Sequence, residues 1–435
     1  MKMRMMRYAI LFGLFVLIGC RGNAPAQTKS PARETLAPTS APIATNPPIA
    51  TSAPRATNTP TPAPATAVST PTRAPTTTVA RPTPNVSTQV LLPYLIVQAK
   101  HPLAVCNDGS TPVFFYRRGS GDGANKWVVW FKGGYNCSDE ATCKARPRDL
   151  TGSGFWLRQN LNSGLDDDSR ADGILSNNRA NNPDFYNWNH VFLVYCSSDN
   201  WTGTRSAAPE TFGMHFRGHD IVSAMMDALQ DPDIVGAPTL AQATQILFAG
   251  SSAGGVGLRA NIDRLAKQFN RADVRAVADS GIATSVEPTR DAQMVTMLQA
   301  EYNLWRPAFD ESCVAANQAQ PWVCGGGTFL LRNNHLSTPL FNRMDQLDPV
   351  VLDILNLQIR DPQDRPLIEK FATDVREALK NQPGAYSPFS GKHIVLTNED
   401  FYKYKINGLS MADVLGNWYF NRAGLKNVIE PPRTR

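Results

Sequence analysis

The stretch Gly250-Ser251-Ser252-Ala253-Gly254 offers a nucleophile. An apolar run, Ile246 to Ala249, precedes it and a helical pattern from Val256 to Phe269 follows. Strand, tight turn and helix in that order is the setting a G-x-S-x-G nucleophile elbow requires. The turn strains the serine backbone and leaves room only for small residues two positions to either side, which accounts for Gly250 and Gly254. Ser252 would then stand at a helix N-terminus, where backbone N–H groups and the helix dipole favour developing negative charge. The chemistry would be attack of a hydroxyl on an acyl carbonyl. The same residues could also make a plain Gly-rich turn, so the rest of the chain has to supply a base, an acid and an oxyanion hole.

An oxyanion hole is available upstream. Trp127-Val-Val-Trp-Phe-Lys-Gly133-Gly134-Tyr135 reads as a strand ending in Gly-Gly, early in the fold. Hydrolases of this kind draw one N–H from such a loop and the second from the residue after the nucleophile. The expected donors are Gly134 or Tyr135 together with Ala253. A metal-dependent reading has little to stand on: no C-x-x-C occurs, and His215 and His219 lack the intervening Glu of a zincin. Neither a metal nor a cofactor is expected.

The elements that must position these groups read as one α/β unit over residues 91–435. Expected strands are Val113–Arg117, Trp127–Phe131, Val191–Tyr195, Gln245–Ala249, Val274–Ala278, a weaker run at Pro339–Phe341, and His393–Leu396. Several are continuously apolar, as strands of a mostly parallel sheet covered by helices on both faces should be. Helical patterns fall at Phe216–Leu229, Gly255–Phe269, Asp291–Tyr302, Asp364–Leu379 and Ser410–Tyr419. Between Lys144 and Asn189, Asn, Asp, Gly and Arg dominate, which suggests a long excursion on the substrate side.

The first 90 residues cannot form a core. Lys2, Arg4 and Arg7 lead into an apolar run ending Leu17-Ile18-Gly19-Cys20, the pattern of a secretory signal. Its last residues resemble a bacterial lipobox, which implies lipidation of Cys20 and a domain division into a signal peptide at residues 1–20 and a linker at 21–90. That linker is Pro, Thr, Ala and Ser with almost no large apolar residues, so a disordered stalk is expected. Of 43 Lys and Arg against 37 Asp and Glu, the first 90 residues hold nine against one, leaving 34 against 36 beyond them. The basic balance therefore belongs to the signal and stalk, and nucleic acid is not expected as a partner of the folded part.

Apart from Cys20 there are six cysteines. An even number in an exported domain suggests three disulfides. Cys137 with Cys143 and Cys313 with Cys324 are close enough to close local loops, which leaves Cys106 with Cys196.

Six segments occurring in order, Cys106-Asn-Asp-Gly-Ser110, Phe131 to Cys137, Tyr195 to Gly203, Ala249 to Gly257, Ala278-Asp-Ser-Gly281 and Gly416-Asn-Trp-Tyr-Phe420, resemble the signature segments of the pectin acetylesterase family. They span nearly all of residues 95–425. The resemblance implies an α/β-hydrolase-like fold and ester hydrolysis by a Ser-His-Asp triad. Carried over by position, it puts the nucleophile at Ser252 and the acid at Asp348, nine residues after Pro339, with Asp345 as the alternative. Here Met344-Asp-Gln-Leu-Asp-Pro349 replaces the family's usual aromatic and Gln around the acid, so both aspartates stay open. The base must follow the acid in the chain, and of the six histidines only His393 does. Asp199 and Asp279 are assigned structural roles. Trp201 and Tyr135 are candidates both for lining the acyl pocket or stacking on a sugar and for buried packing.

The expected protein is an exported serine esterase, monomeric and lipid-anchored to the outer face of a bacterial membrane, that removes acyl groups, acetyl foremost, from a polysaccharide or other extracellular ester. A lipase or fatty-acyl esterase is the alternative within enzymes. A non-catalytic, carbohydrate-binding surface lipoprotein is the alternative outside them.

Overall fold

In the computed structural model nine strands form one sheet in the order β1-β2-β4-β3-β5-β6-β7-β8-β11. The strands are β1 (Leu92–Leu95), β2 (Val113–Arg117), β3 (Lys126–Phe131), β4 (Asn189–Leu193), β5 (Gln245–Ser251), β6 (Asp273–Asp279), β7 (Leu340–Arg343), β8 (Ala385–Ser387) and β11 (Asn427–Ile429), with β9 (Lys405–Ile406) and β10 (Leu409–Ser410) making a separate ribbon. The structure describes residues 91–96, 99–160, 165, 171–281 and 292–432. The expected signal peptide, Cys20 and the Pro/Thr-rich linker lie outside the described residues.

Within the nine-stranded sheet the pairings from β4 to β11 are parallel, and β1 with β2 and β2 with β4 run antiparallel. The fold is therefore α/β-hydrolase-like, a large, mostly parallel sheet flanked by helices. Alternation along the central strands sends side chains to opposite faces. Trp127, Val129, Phe131, Ile246 and Phe248 enter one buried layer with the helices Gly218–Leu229, Ala253–Gln268 and Arg365–Leu379. Val128, Trp130, Leu247 and Ala249 enter the other, against Trp156 and the helix Met411–Tyr419. Burial on both sides is why these strands read as unbroken apolar runs.

The six cysteines form Cys106–Cys196, Cys137–Cys143 and Cys313–Cys324, the pairing expected from their spacing.

One expected strand is absent. His393–Leu396 is loop, because the backbone N–H groups of Val395 and Leu396 donate to the buried carboxylate of Asp279, both at 2.8 Å, where a strand would need neighbouring carbonyls. Val395 and Leu396 are apolar because they are buried, and burial without a ladder mimics a strand in sequence. The edge strands β1 and β11, and β8 beside β11, were not anticipated; each has four residues or fewer and too little periodicity to register.

Candidate active site

Ser252 sits between the end of β5 and the helix Ala253–Gln268 with φ 57° and ψ −125°. A positive φ in a non-glycine residue is strained and persists only where its surroundings hold it. Ser252 N donates to the Asp279 carbonyl at 2.8 Å, and the Ser252 carbonyl accepts from Gly255 N and Val256 N at 2.8 and 3.1 Å. Close packing explains the flanking glycines: a Cβ on Gly250 would stand 2.4 Å from the Gly254 carbonyl oxygen, and one on Gly254 would stand 2.0 Å from the Phe131 carbonyl oxygen. The buried guanidinium of Arg259 ties the helix start to the segment after β6, donating to the carbonyls of Gly255 at 3.1 Å and Gly281 at 3.0 Å. Burial pulls its pKa down to about 9.

His393 Nε2 lies 2.8 Å from Ser252 Oγ. Its Nδ1 lies 2.9 Å from Asp348 Oδ1 and 2.8 Å from Asp348 Oδ2. With the Nδ1 proton facing the carboxylate, Nε2 can accept from the serine hydroxyl. Asp348 is fully buried and also caps the helix Pro349–Ile354, accepting from Val350 N and Val351 N. Asp345 goes elsewhere, to Arg343, Leu347 N, Ser390, Gly391 N and Lys392 N. Of the two aspartates left open by the sequence, Asp348 is the one against the imidazole.

Gly133, Gly134 and Tyr135 line a cleft of about 670 Å³ together with Ser252 and His393. Arg146 Nη2 holds the Gly134 carbonyl at 2.6 Å, and in a trans peptide the Tyr135 N–H points the opposite way. Among the described residues no backbone carbonyl accepts from the N–H of Gly134, Tyr135 or Ala253. The three expected donors thus remain available to a ligand oxygen.

Two cavities meet at Ser252 and His393. The larger is lined by Lys132, Asp172, Asn398 and Glu399 as well as by the apolar Trp130, Phe192 and Ile394. The smaller, about 130 Å³, is lined chiefly by Val256, Met294, Met297, Leu298, Val351 and Ile354, with Asn136 and Glu301 also on its wall. Tyr135, 49% exposed, borders both. Trp201 does not reach them: it is fully buried, packs on Phe131 and Tyr195, and donates to the Lys132 carbonyl at 3.0 Å.

Asp199 and Asp279 act on the backbone. Asp199 accepts from Ser197 Oγ and from the N–H groups of Trp201, Gly203 and Gly218; burial outweighs these bonds and lifts its pKa to about 6. Asp279 holds the histidine loop at Val395 and Leu396.

Sequence reasoning missed Arg343, Glu301 and Asn136. Glu301 lies three residues after Leu298 on the buried stripe of the helix Ala292–Trp305, and a charge on an apolar stripe was a usable signal. Its Oε1 accepts from Asn136 Nδ2 at 2.8 Å, and burial drives its pKa from 4.5 to about 8. Nothing in the sequence marks Arg343.

A family model described as Pectinacetylesterase matches residues 86–432. The chain is similar to the palmitoleoyl-protein carboxylesterase NOTUM of Schmidtea mediterranea (27% identity, covering 75% of this chain and 62% of that protein) and of Drosophila melanogaster (30%, covering 72% and 46%). It is also similar to pectin acetylesterase 4 of Arabidopsis thaliana (26%, covering 76% and 83%). The crystal structure of the Wnt deacylase Notum from Drosophila superposes with a TM-score of 0.67 at 28% identity, over 79% of this chain and 97% of that one. The matched region spans between about half and two thirds of the length of the Notum relatives. Match and fold agree along the whole described region: this chain belongs to the pectinacetylesterase family.

Proposed function

We propose that the protein is an exported serine carboxylesterase that removes short acyl groups, acetyl foremost, from a polysaccharide or other extracellular ester. The observation that carries this reading is the contact of Ser252 Oγ with His393 Nε2 at 2.8 Å, backed by Asp348 at Nδ1.

In the proposed mechanism His393 takes the Ser252 proton as Oγ attacks the ester carbonyl carbon. Asp348 keeps the imidazole in its reactive tautomer and stabilises the imidazolium. The N–H groups of Ala253 and of Gly134 or Tyr135 receive the tetrahedral oxyanion; each such donor is worth roughly 10²- to 10³-fold in rate. Collapse expels the alcohol, which leaves with the proton from His393. Water then attacks the acyl-enzyme with His393 again as base, releasing the carboxylic acid and restoring Ser252.

The two cavities support a division of the substrate, with the acyl group in the small apolar pocket and the alcohol in the larger cleft, which carries Lys132, Asp172, Asn398 and Glu399. A volume of about 130 Å³ favours a short acyl group. The palmitoleoyl-protein carboxylesterases among the relatives favour a second reading, a fatty-acyl esterase. Export is supported by the signal-like N-terminus and by three disulfides, which persist in oxidising compartments. Lipid anchoring through Cys20 belongs to the same proposal.

Turnover of acetyl and octanoyl aryl esters, with fluorophosphonate labelling of wild type and Ser252→Ala, tests it. The expected result is labelling and acetyl turnover in wild type, both lost in Ser252→Ala with the melting temperature nearly unchanged. Wild-type activity in Ser252→Ala rejects the serine mechanism, and faster octanoyl turnover selects the fatty-acyl reading. A wild type that neither turns over nor labels favours a non-catalytic binding protein.

A further inference from the structure

His393 sits in a loop, outside helix and sheet, and loops hold a catalytic group in place only when their backbone is tied down from outside. The ties here come from three buried charged side chains at the ends of two neighbouring strands. Asp345, just past β7, accepts from the N–H groups of Ser390 at 3.2 Å, Gly391 at 3.1 Å and Lys392 at 3.3 Å, and from Ser390 Oγ. Asp279, the last residue of β6, accepts from the N–H groups of Val395 and Leu396. Arg343, the last residue of β7, joins the two: its guanidinium is fully buried and donates to Asp279 Oδ1 and Asp345 Oδ2, each at 3.2 Å. The same guanidinium donates to the main-chain carbonyls of His393 at 2.6 Å and Lys392 at 2.9 Å.

We propose that Arg343 is a positioning residue for His393, holding the imidazole at Ser252 by binding the carbonyls of Lys392 and His393 while fixing the two aspartates that hold the N–H groups on either side. The inference rests on the reading of His393 as general base. It goes further in assigning the accuracy of the base to a residue that touches neither substrate nor nucleophile.

The geometry requires arginine. Nη1 serves Asp279 and the His393 carbonyl, while Nη2 serves Asp345 and the Lys392 carbonyl. A planar fork with two separated nitrogens can bind both sets at once; an ammonium, whose donors radiate from one atom, cannot span them. The guanidinium also keeps two buried carboxylates from facing each other without a counter-charge. Ser280 reinforces the arrangement, with its Oγ 3.1 Å from Asp348 Oδ2 and within reach of the His393 carbonyl. Acid, base and clamp are thereby joined in one network.

The test compares wild type with Arg343→Lys in the full chain, reading kcat and KM on an acetyl aryl ester, the folded fraction by near-UV circular dichroism, and the low-field proton NMR signal of the His393 Nδ1–H, assigned by its absence in His393→Gln. The expected result is a fall in kcat of about 10²-fold, the scale on which small misplacements of a catalytic group act, with KM within twofold of wild type and the low-field signal lost or broadened. Unchanged kcat, or a fall no larger than the loss of folded protein, overturns the proposal. Should Arg343→Lys not fold, Ser390→Ala removes one of the loop's ties to Asp345 and leaves Arg343 intact. A several-fold lower kcat at unchanged KM then supports the clamp, and wild-type kcat overturns it. If wild-type protein turns over no ester and takes no fluorophosphonate, the esterase reading has failed, while the NMR comparison of wild type with Arg343→Lys still decides the positioning claim.

Discussion

The Asp348 carboxylate faces His393 Nδ1 with both oxygens, at 2.9 and 2.8 Å, while one of those oxygens also caps the helix that begins at Pro349. An asparagine could keep the cap but could not hold the Nδ1–H tautomer or stabilise an imidazolium. Asp348→Asn is therefore expected to lower kcat by about 10⁴-fold with little change in melting temperature. Asp345→Asn should do the reverse: a marked fall in melting temperature, because Arg343 and several N–H groups lose an ionised partner, and a smaller fall in kcat. Steady-state kinetics and thermal denaturation of the two variants check the assignment, and an Asp345→Asn enzyme more impaired in kcat than Asp348→Asn would reverse it.

Gly133 packs directly on the elbow. A Cβ there would stand 2.4 Å from the Ser251 carbonyl oxygen and 2.7 Å from Ser252 Cβ, distances at which the backbone has to move. Gly133→Ala should displace the Gly134–Tyr135 donors and lower kcat by roughly 10²-fold or more. Fluorophosphonate labelling should slow in parallel. An alanine enzyme with normal kcat would show that these donors do not serve the oxyanion.

Glu301 should impose a pH dependence on stability. Burial raises its pKa from 4.5 to about 8, so over that interval the folded protein holds a proton that the unfolded chain has lost. The unfolded state then binds fewer protons, and stability falls as pH rises towards 8. Asp199, raised to about 6, acts in the same direction at lower pH. Between about pH 6.5 and pH 8 the Glu301 contribution stands apart from that of Asp199. His190, His215 and His219, whose pKa values burial lowers, act in the opposite direction in both proteins, so the comparison is relative. Across that interval urea denaturation should show wild type losing on the order of 2 kcal/mol against Glu301→Gln, whose amide oxygen can still accept from Asn136. Equal slopes in the two proteins would count against a protonated Glu301.

The disulfides differ in the loops they close. Cys106–Cys196 joins positions 90 residues apart, against six for Cys137–Cys143. In the chain-entropy model, removing the first costs about 4 to 5 kcal/mol and removing the second about 2 kcal/mol. Paired cysteine-to-alanine variants, compared by urea denaturation, should follow that order.

The sequence by itself located the elbow, most of the buried strands, the helices that cover them and the pairing of the cysteines. Each of those rests on neighbours in the chain: a period of two or 3.6, glycines at fixed offsets, and two pairs of nearby cysteines whose closure left Cys106 for Cys196 by elimination. It also confined the proposed base to His393 by chain order, and it left the proposed acid open because Asp345 and Asp348 are both short polar residues just past the same strand. Only the tertiary structure separated them, through contacts formed across 45 positions to His393, whose ring then meets Ser252 across 141. The same limit explains the error at His393–Leu396, where an apolar stretch is buried against a carboxylate more than 100 residues away. Arg343 was illegible for the same reason, since a buried guanidinium is stable only where folding gathers its carboxylates and carbonyls from distant parts of the chain, and no local pattern records that meeting.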